Sequence, residues 1–127
     1  MRFKIDTREK FHAITIQESG LAANMTAEMD ECLLSFLQNG VKNAILILKD
    51  IQNIDKAAAE GLVKIQEKFH ENDASFVICE LRKEVKKSLN EKGLLELMNV
   101  TLTESEAQDM VQMEVLEREL LDGEASA

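Results

Sequence analysis

Apolar residues follow two patterns along the chain, and each pattern predicts a different kind of strand. Arg2–Asp6 and Lys10–Gln17 alternate weakly between apolar and polar positions around a Thr-Arg-Glu turn, which predicts a β-hairpin. Asn43–Leu48 and Ser75–Cys79 instead contain continuous apolar runs, which are typical of strands covered on both faces of a sheet. A last short strand is predicted over Met98–Leu102.

Apolar residues at helical spacing predict four helices between and after these strands. They are a helix capped by Asn24 or Thr26, a helix from Asp55 to about Asn72, a short helix over Lys83–Glu91 and a final helix over Ser105–Leu121. The stripe expected to face the core is Ala58, Leu62, Ile65 and Phe69 in the second helix, and Met110, Met113, Leu116 and Leu120 in the final one. A methionine-rich stripe can also line an adaptable binding groove, which is the alternative for the final helix. Strands alternating with helices predict an α/β fold.

Length and charge limit the kind of protein. The 127 residues predict one domain over residues 1–122, followed by a disordered tail over residues 123–127. A formal net charge of −9 argues against nucleic acid and an anionic membrane surface as partners, and it favours a basic partner. There is no apolar run long enough for a membrane span and no apolar signal-peptide segment, so we expect a cytoplasmic protein. The sequence leaves the oligomeric state open, including a homodimer.

Residue types with catalytic or metal-binding chemistry are present but not grouped. Cys32 and Cys79 lie in apolar patterns and are expected to act as small buried hydrophobic residues. His12 lies within a strand and His70 near a helix end, and neither has a partner at metal-ligand spacing. Without a nucleophile–base pair, a glycine-rich phosphate loop or a metal cluster, we expect no metal, no cofactor and no enzymatic activity.

The segment Ile51–Leu62, IQNIDKAAAEGL, follows an apolar strand through a short polar turn to Ile-Asp and then enters a helix. This layout resembles the STAS domain, the fold of bacterial anti-sigma-factor antagonists. Gly20–Met25, GLAANM, is similar to the loop that precedes the first helix in that family, and Leu81–Val100 and Thr103–Met110 are similar to its later segments. The resemblance covers nearly the whole chain and implies a STAS-like mixed β-sheet of four to five strands with about four helices.

The chain departs from the family pattern at the phosphorylation motif. Where the family has Ser/Thr-Ser-Gly after the aspartate, this chain has Lys56, Ala57 and Ala58, so the resemblance implies no phosphorylation site there. Ala22 replaces the aspartate of the family loop, whereas Asn24 and Asp55 are kept. Asp55 has two compatible roles, as the N-cap of the second helix and as a partner contact. Lys56 is either a solvated side chain or a contact to a partner.

The resemblance implies a non-catalytic regulatory protein that binds an anti-sigma factor or a related switch kinase. The partner-binding residues it implies are Ala22, Asn24, Asp55, Lys56, Ala57 and Ala58. Two alternatives remain, a structural subunit docked on the ATPase of an ABC-type transporter and a small-ligand-binding module. Glu104–Ala127 has eight acidic residues against Arg118, which indicates either a solvated helix face or a steering surface for a basic partner.

Overall fold

The computed structural model describes the backbone of residues 1–126 and the side chains of residues 1–122. Its strands are β1 (Phe3–Thr7), β2 (His12–Ile16), β3 (Gly20–Leu21), β4 (Ala44–Ile47), β5 (Asn53–Ile54) and β6 (Phe76–Cys79). Its α-helices are α1 (Thr26–Ser35), α2 (Lys56–Glu71), α3 (Lys83–Glu91) and α4 (Glu104–Ser126). The tail expected over residues 123–127 includes Ala127, which lies outside the described residues. The disorder of this tail stays a prediction.

The main sheet is mixed and has the strand order β1-β2-β4-β6. The first strand is antiparallel to β2, whereas β2, β4 and β6 are parallel to one another. All residues of β2, β4 and β6 are buried, because these strands have helices on both sides. The predicted mixed α/β fold is therefore confirmed.

The two faces of the sheet support two separate hydrophobic clusters, because successive side chains of a strand point to opposite faces. Ile14, Leu46 and Ile78 belong to the cluster that α1, α2 and α3 cover. Ile45 and Val77 belong to the second cluster, which α4 covers. Thus three helices lie on one face of the sheet and α4 lies alone on the other.

The prediction of a last strand over Met98–Leu102 is wrong, because this segment does not form an extended strand. Only Val100 pairs with the sheet, through an isolated parallel bridge to Ile78. A 3-10 turn over Leu95–Leu97 precedes the bridge, and the Thr101 hydroxyl bonds the Thr103 carbonyl at 2.9 Å just after it. These turns limit the pairing to the immediate neighbours of Val100.

The predicted core stripe of the final helix is wrong for three of its four residues, whereas Met110 is half-buried and packs against the second cluster. Met113, Leu116 and Leu120 are 64%, 55% and 60% exposed, whereas Ala107 and Val111 are fully buried. Ala107 and Val111 pack against sheet residues of the second cluster, and that contact determines which face of the helix is buried. The side chains of Met113, Leu116 and Leu120 therefore point to solvent.

Candidate partner-binding surface

Two short strands bring the loop before α1 next to the start of α2. β3 pairs in parallel with β5, with Gly20 opposite Asn53 and Leu21 opposite Ile54. A Cβ at Gly20 would lie 2.5 Å from Oδ1 of Asn53, so any larger residue at position 20 would require the Asn53 side chain to move. The backbone N–H of Asp55 continues the pairing by donating to the Leu21 carbonyl at 2.9 Å.

Asp55 connects the two segments through both oxygens of its carboxylate. Oδ1 accepts from the N–H of Ala58 at 2.9 Å, which is the N-cap bond of α2. Oδ2 accepts from the N–H of Ala23 at 2.8 Å. The predicted role of Asp55 as a helix cap is therefore confirmed, and the second bond is an addition that the sequence did not predict.

Exposure separates the residues named from the sequence into three groups. Asn24, Asp55, Lys56 and Ala57 are exposed, and Ala22 is half-buried. Ala58 is 1% exposed and packs in the main cluster, so its side chain cannot contact a partner as the structure stands. We use the name partner surface for the side chains of Ala22, Asn24, Asp55, Lys56 and Ala57, the predicted contact residues that remain accessible.

A groove of about 540 Å³ runs beside the partner surface, between the starts of α1 and α2. Its walls bear both signs of charge, from Asp30 and Glu60 on one hand and Lys56 and Lys64 on the other. The groove also contains Thr26, whose hydroxyl donates to the Ala23 carbonyl at 2.8 Å. An exposed groove with mixed charge fits the surface of another protein better than a small apolar ligand, which needs mostly apolar walls.

The first turn of α2 has an unusual charge for its position. It contains no acidic residue, and Lys56 lies at the positive end of the helix dipole. The last turn has Lys68 and His70, which suit the negative end. The placement of Lys56 costs α2 about 0.3–1 kcal/mol relative to an acidic residue.

A polar network that sequence reasoning did not find lies at the amino ends of β4 and β6. Ser75 is buried, and its hydroxyl donates to Oε1 of Glu114 at 2.6 Å. Nη2 of Arg118 donates to the same hydroxyl at 3.1 Å and to Oδ1 of Asn43 at 3.0 Å. The one available signal is that Arg118 is the single basic residue of an acidic segment. A cleft of about 740 Å³ adjoins the network, between α2 and α4.

The histidines and cysteines do not form a reactive group. His12 is buried, and its Nε2 donates to the Val41 carbonyl at 2.8 Å while the Thr7 hydroxyl lies 2.9 Å from Nδ1. Burial raises the pKa of the Cys79 thiol to about 12, with added repulsion from the carboxylates of Glu80 and Glu104. Burial also raises the pKa of Cys32. Neither thiol has the lowered pKa of a nucleophile.

The described residues form neither a metal site nor a membrane-spanning helix. Among the side chains of residues 1–122, no cluster of three or more His, Cys, Asp or Glu could hold a metal ion. None of the helices described combines the length and the apolar character needed to cross a membrane.

The model of the STAS domain family matches residues 3–107 of the chain. The chain belongs to the STAS domain family. No curated protein has a significant match to this STAS chain. The matched range includes the partner surface and ends four residues into α4.

Solved structures confirm the fold. A variant of RsbS from Moorella thermoacetica has a TM-score of 0.74 and 20% identity, covering 93% of this chain and 99% of its own. An anti-sigma factor antagonist from Mycobacterium paratuberculosis has a TM-score of 0.74 and 9% identity, covering 87% and 93%. The anti-sigma factor antagonist SpoIIAA in its unphosphorylated form has a TM-score of 0.68 and 16% identity, covering 87% and 96%. Likeness at such low identity establishes the STAS fold alone.

Proposed function

We propose that this STAS protein is a non-catalytic regulator of the bacterial cytoplasm that binds an anti-sigma factor or a switch kinase through the partner surface. Its similarity to anti-sigma factor antagonists supports this function. The loop before α1 and the start of α2 are held together by Asp55, so a partner would meet a surface that is already formed. Preformed surfaces lose less entropy on binding.

The observation on which the proposal depends is the chemistry of the first turn of α2. Lys56 and Ala57 are exposed there, where a kinase could reach them, and neither has a hydroxyl group. Phosphorylation of a serine or threonine adds about two negative charges at neutral pH and would repel an acidic partner or alter its docking. Because this turn cannot accept a phosphate ester, binding through the partner surface is constitutive.

Lys56 is the side chain that we expect to contribute most to binding. It is exposed, it is disfavoured by its own helix, and no described residue pairs with it. An acidic group of a partner would compensate the unfavourable dipole interaction. Lys56→Glu should therefore weaken the complex without destabilising the protein, since glutamate suits the start of a helix.

The lack of a phosphoacceptor is tested with a purified switch kinase of the anti-sigma type. We expect the wild-type complex, measured by isothermal titration calorimetry, to have the same affinity with ATP as with a non-hydrolysable analogue. Ala57→Ser restores an exposed hydroxyl, so its complex should weaken with ATP as phosphate appears in the intact mass. Phosphate on residues 55–59 or on Thr26 of the wild type would contradict the proposal.

The location of the surface is tested with a matched pair of charge reversals. Lys68→Glu is the control for Lys56→Glu, because it makes the same change on α2 about 18 Å further along the helix axis. Only Lys56→Glu should lower the affinity. Equal effects of the two variants would place the contact elsewhere. Binding to a purified ABC-type ATPase, together with no binding to any anti-sigma factor or switch kinase, would favour the structural-subunit alternative and overturn the proposal.

A further inference from the structure

The final helix has two apolar faces, and only one of them is used inside the domain. Ala107 and Val111 are fully buried against the sheet. Met113, Leu116 and Leu120, which we call the outer stripe, are 55–64% exposed. At about 100° per residue, the outer stripe lies roughly on the opposite side of the helix from Ala107 and Val111. Solvent-facing positions of a helix are normally polar, so an apolar outer face is unusual.

The outer stripe is bordered by acidic side chains. At the same angular spacing, Glu106, Asp109 and Glu117 lie on the outer side of α4. Within the described residues, neither Asp109 nor Glu117 has a side-chain partner. The nearest basic residue in sequence, Arg118, donates to Ser75 and Asn43 on the inner side of the helix. Nothing in the described part of α4 therefore neutralises the acidic border.

Charge decides what can cover this face. A second copy of the chain would bring another acidic helix against the first, since residues 104–122 have seven acidic residues against Arg118. Three side chains also present only a few hundred Å² of apolar surface, less than the ~800 Å² per partner of a standard stable interface. An anionic membrane is repelled for the same electrostatic reason. A basic segment with an apolar face of its own matches both the apolar outer stripe and its acidic border.

We propose that the outer stripe of α4 is a docking site for a basic amphipathic helix of a partner protein. The apolar face of that helix packs on Met113, Leu116 and Leu120, and its lysine or arginine side chains pair with Asp109 and Glu117. This mode combines side-by-side packing of apolar helix faces with charge pairing at the rim.

The docking site is separate from the partner surface. α1, α2 and α3 cover one face of the sheet and α4 covers the other, so the two surfaces lie on different sides of the domain. The outer stripe also lies wholly beyond residue 107, where the family match ends. One protein could therefore bind two partners at once, and the inference does not depend on the proposed function.

The test uses the full chain and two synthetic peptides of about 18 residues, long enough to form a helix. One has leucines on one helical face and lysines on the other, and the second is a scrambled isomer of the same composition. By calorimetry, the wild type should bind the amphipathic peptide at least roughly tenfold more tightly than the isomer. The double variant Leu116→Gln/Leu120→Gln should lose roughly tenfold or more in affinity.

Two further variants separate the apolar and charged contributions. Leu97→Gln/Leu102→Gln is the matched control, because these leucines are 52% and 68% exposed outside α4, and it should bind as the wild type does. Asp109→Lys/Glu117→Lys should weaken binding and reduce its dependence on salt, since salt screens exposed charge pairs. Circular dichroism confirms that each variant is folded.

Several outcomes would overturn the inference. Equal affinity for the two peptides would show that binding results from non-specific charge attraction and not from recognition of an apolar helix face. Unchanged affinity in Leu116→Gln/Leu120→Gln would show that the outer stripe is not used. Sedimentation of the wild type as a dimer that this variant loses would assign the face to a second copy. Co-flotation of the wild type, but not of the variant, with phosphatidylglycerol vesicles would assign it to a membrane.

Discussion

The carboxylate of Asp55 accepts a hydrogen bond from the backbone N–H of Ala23 at 2.8 Å, although the two residues are 32 positions apart. The same carboxylate caps α2 through the N–H of Ala58. One side chain therefore fixes the start of a helix and the loop that lies beside it. Together with the pairing of β3 and β5, this pair of bonds holds the two segments of the partner surface side by side.

The first prediction separates the two bonds of Asp55. Asp55→Ala removes both and should lower the free energy of unfolding by about 1–2 kcal/mol, in the range measured for N-cap losses. Asp55→Ser keeps one oxygen that can cap α2 but has no second oxygen for the N–H of Ala23. Its free energy of unfolding should therefore fall by less than that of Asp55→Ala. Urea denaturation measures both variants. An Asp55→Ala variant that unfolds at the wild-type urea midpoint would show that neither bond stabilises the fold.

The second prediction concerns two glycines in different environments. Gly61 lies within α2, and a Cβ there would meet Thr26 and Met29 at 3.6 and 3.7 Å, which is ordinary contact. Gly61→Ala should therefore stabilise the protein by about 0.5–1 kcal/mol through helix propensity. Gly93 has a φ of +71° and open space around it, so Gly93→Ala should destabilise by about 1 kcal/mol through backbone strain alone.

Thermal or urea unfolding should show a higher free energy of unfolding than the wild type for Gly61→Ala and a lower one for Gly93→Ala. A loss of stability in Gly61→Ala would mean that α1 and α2 have no room for even one methyl group between them. The pair also controls for the general effect of replacing glycine, since both changes restrict the unfolded chain equally.

Elements defined by local chemistry were predictable from the sequence. The cap at Asp55 and the buried stripe of α2 follow from residue type and spacing, and the structure has both. The same spacing placed Ala58 in line with Leu62 and Ile65, which conflicts with its expected place on the partner surface. The structure resolves the conflict in favour of the core, because the helical period determines which side of α2 faces the sheet.

Contacts between distant segments were not predictable. α4 has two apolar stripes, and the sequence favoured the larger side chains of Met113 and Leu116 as the buried one. The sheet instead packs against Ala107 and Val111, which the pattern alone did not single out. Likewise, Ser75 and Glu114 are 39 positions apart, and their hydrogen bond results from the packing of the helix on the sheet.

The third prediction tests the polar network that holds α4. Glu114→Ala removes the acceptor of the buried Ser75 hydroxyl and should cost about 1–3 kcal/mol in unfolding free energy. Glu114→Gln keeps an acceptor oxygen and should cost less. Glu117→Ala is the control, because this exposed residue lies on the same helix and its loss should stay within about 0.5 kcal/mol. Equal stability of the two alanine variants in urea would show that the network does not stabilise α4.

The last prediction concerns alkaline pH. The thiol of Cys79 has a pKa of about 12 in the folded protein, mainly because of burial, against 9.0 for an ordinary thiol. Between these values the folded state keeps a proton that the unfolded state has lost, so the stabilising contribution falls as pH rises. Below about pH 9 both states are protonated and the contribution is constant.

Cys79→Ala removes this titration, although it also leaves a small cavity at a fully buried position. The variant should be less stable than the wild type at pH 7, and the difference between the two should shrink as the pH is raised from 9 toward 11. Urea denaturation at a series of pH values measures the difference, and Cys32 titrates equally in both proteins. Parallel stability curves over that interval would show that the proton on Cys79 is bound no more tightly in the folded state than in the unfolded chain.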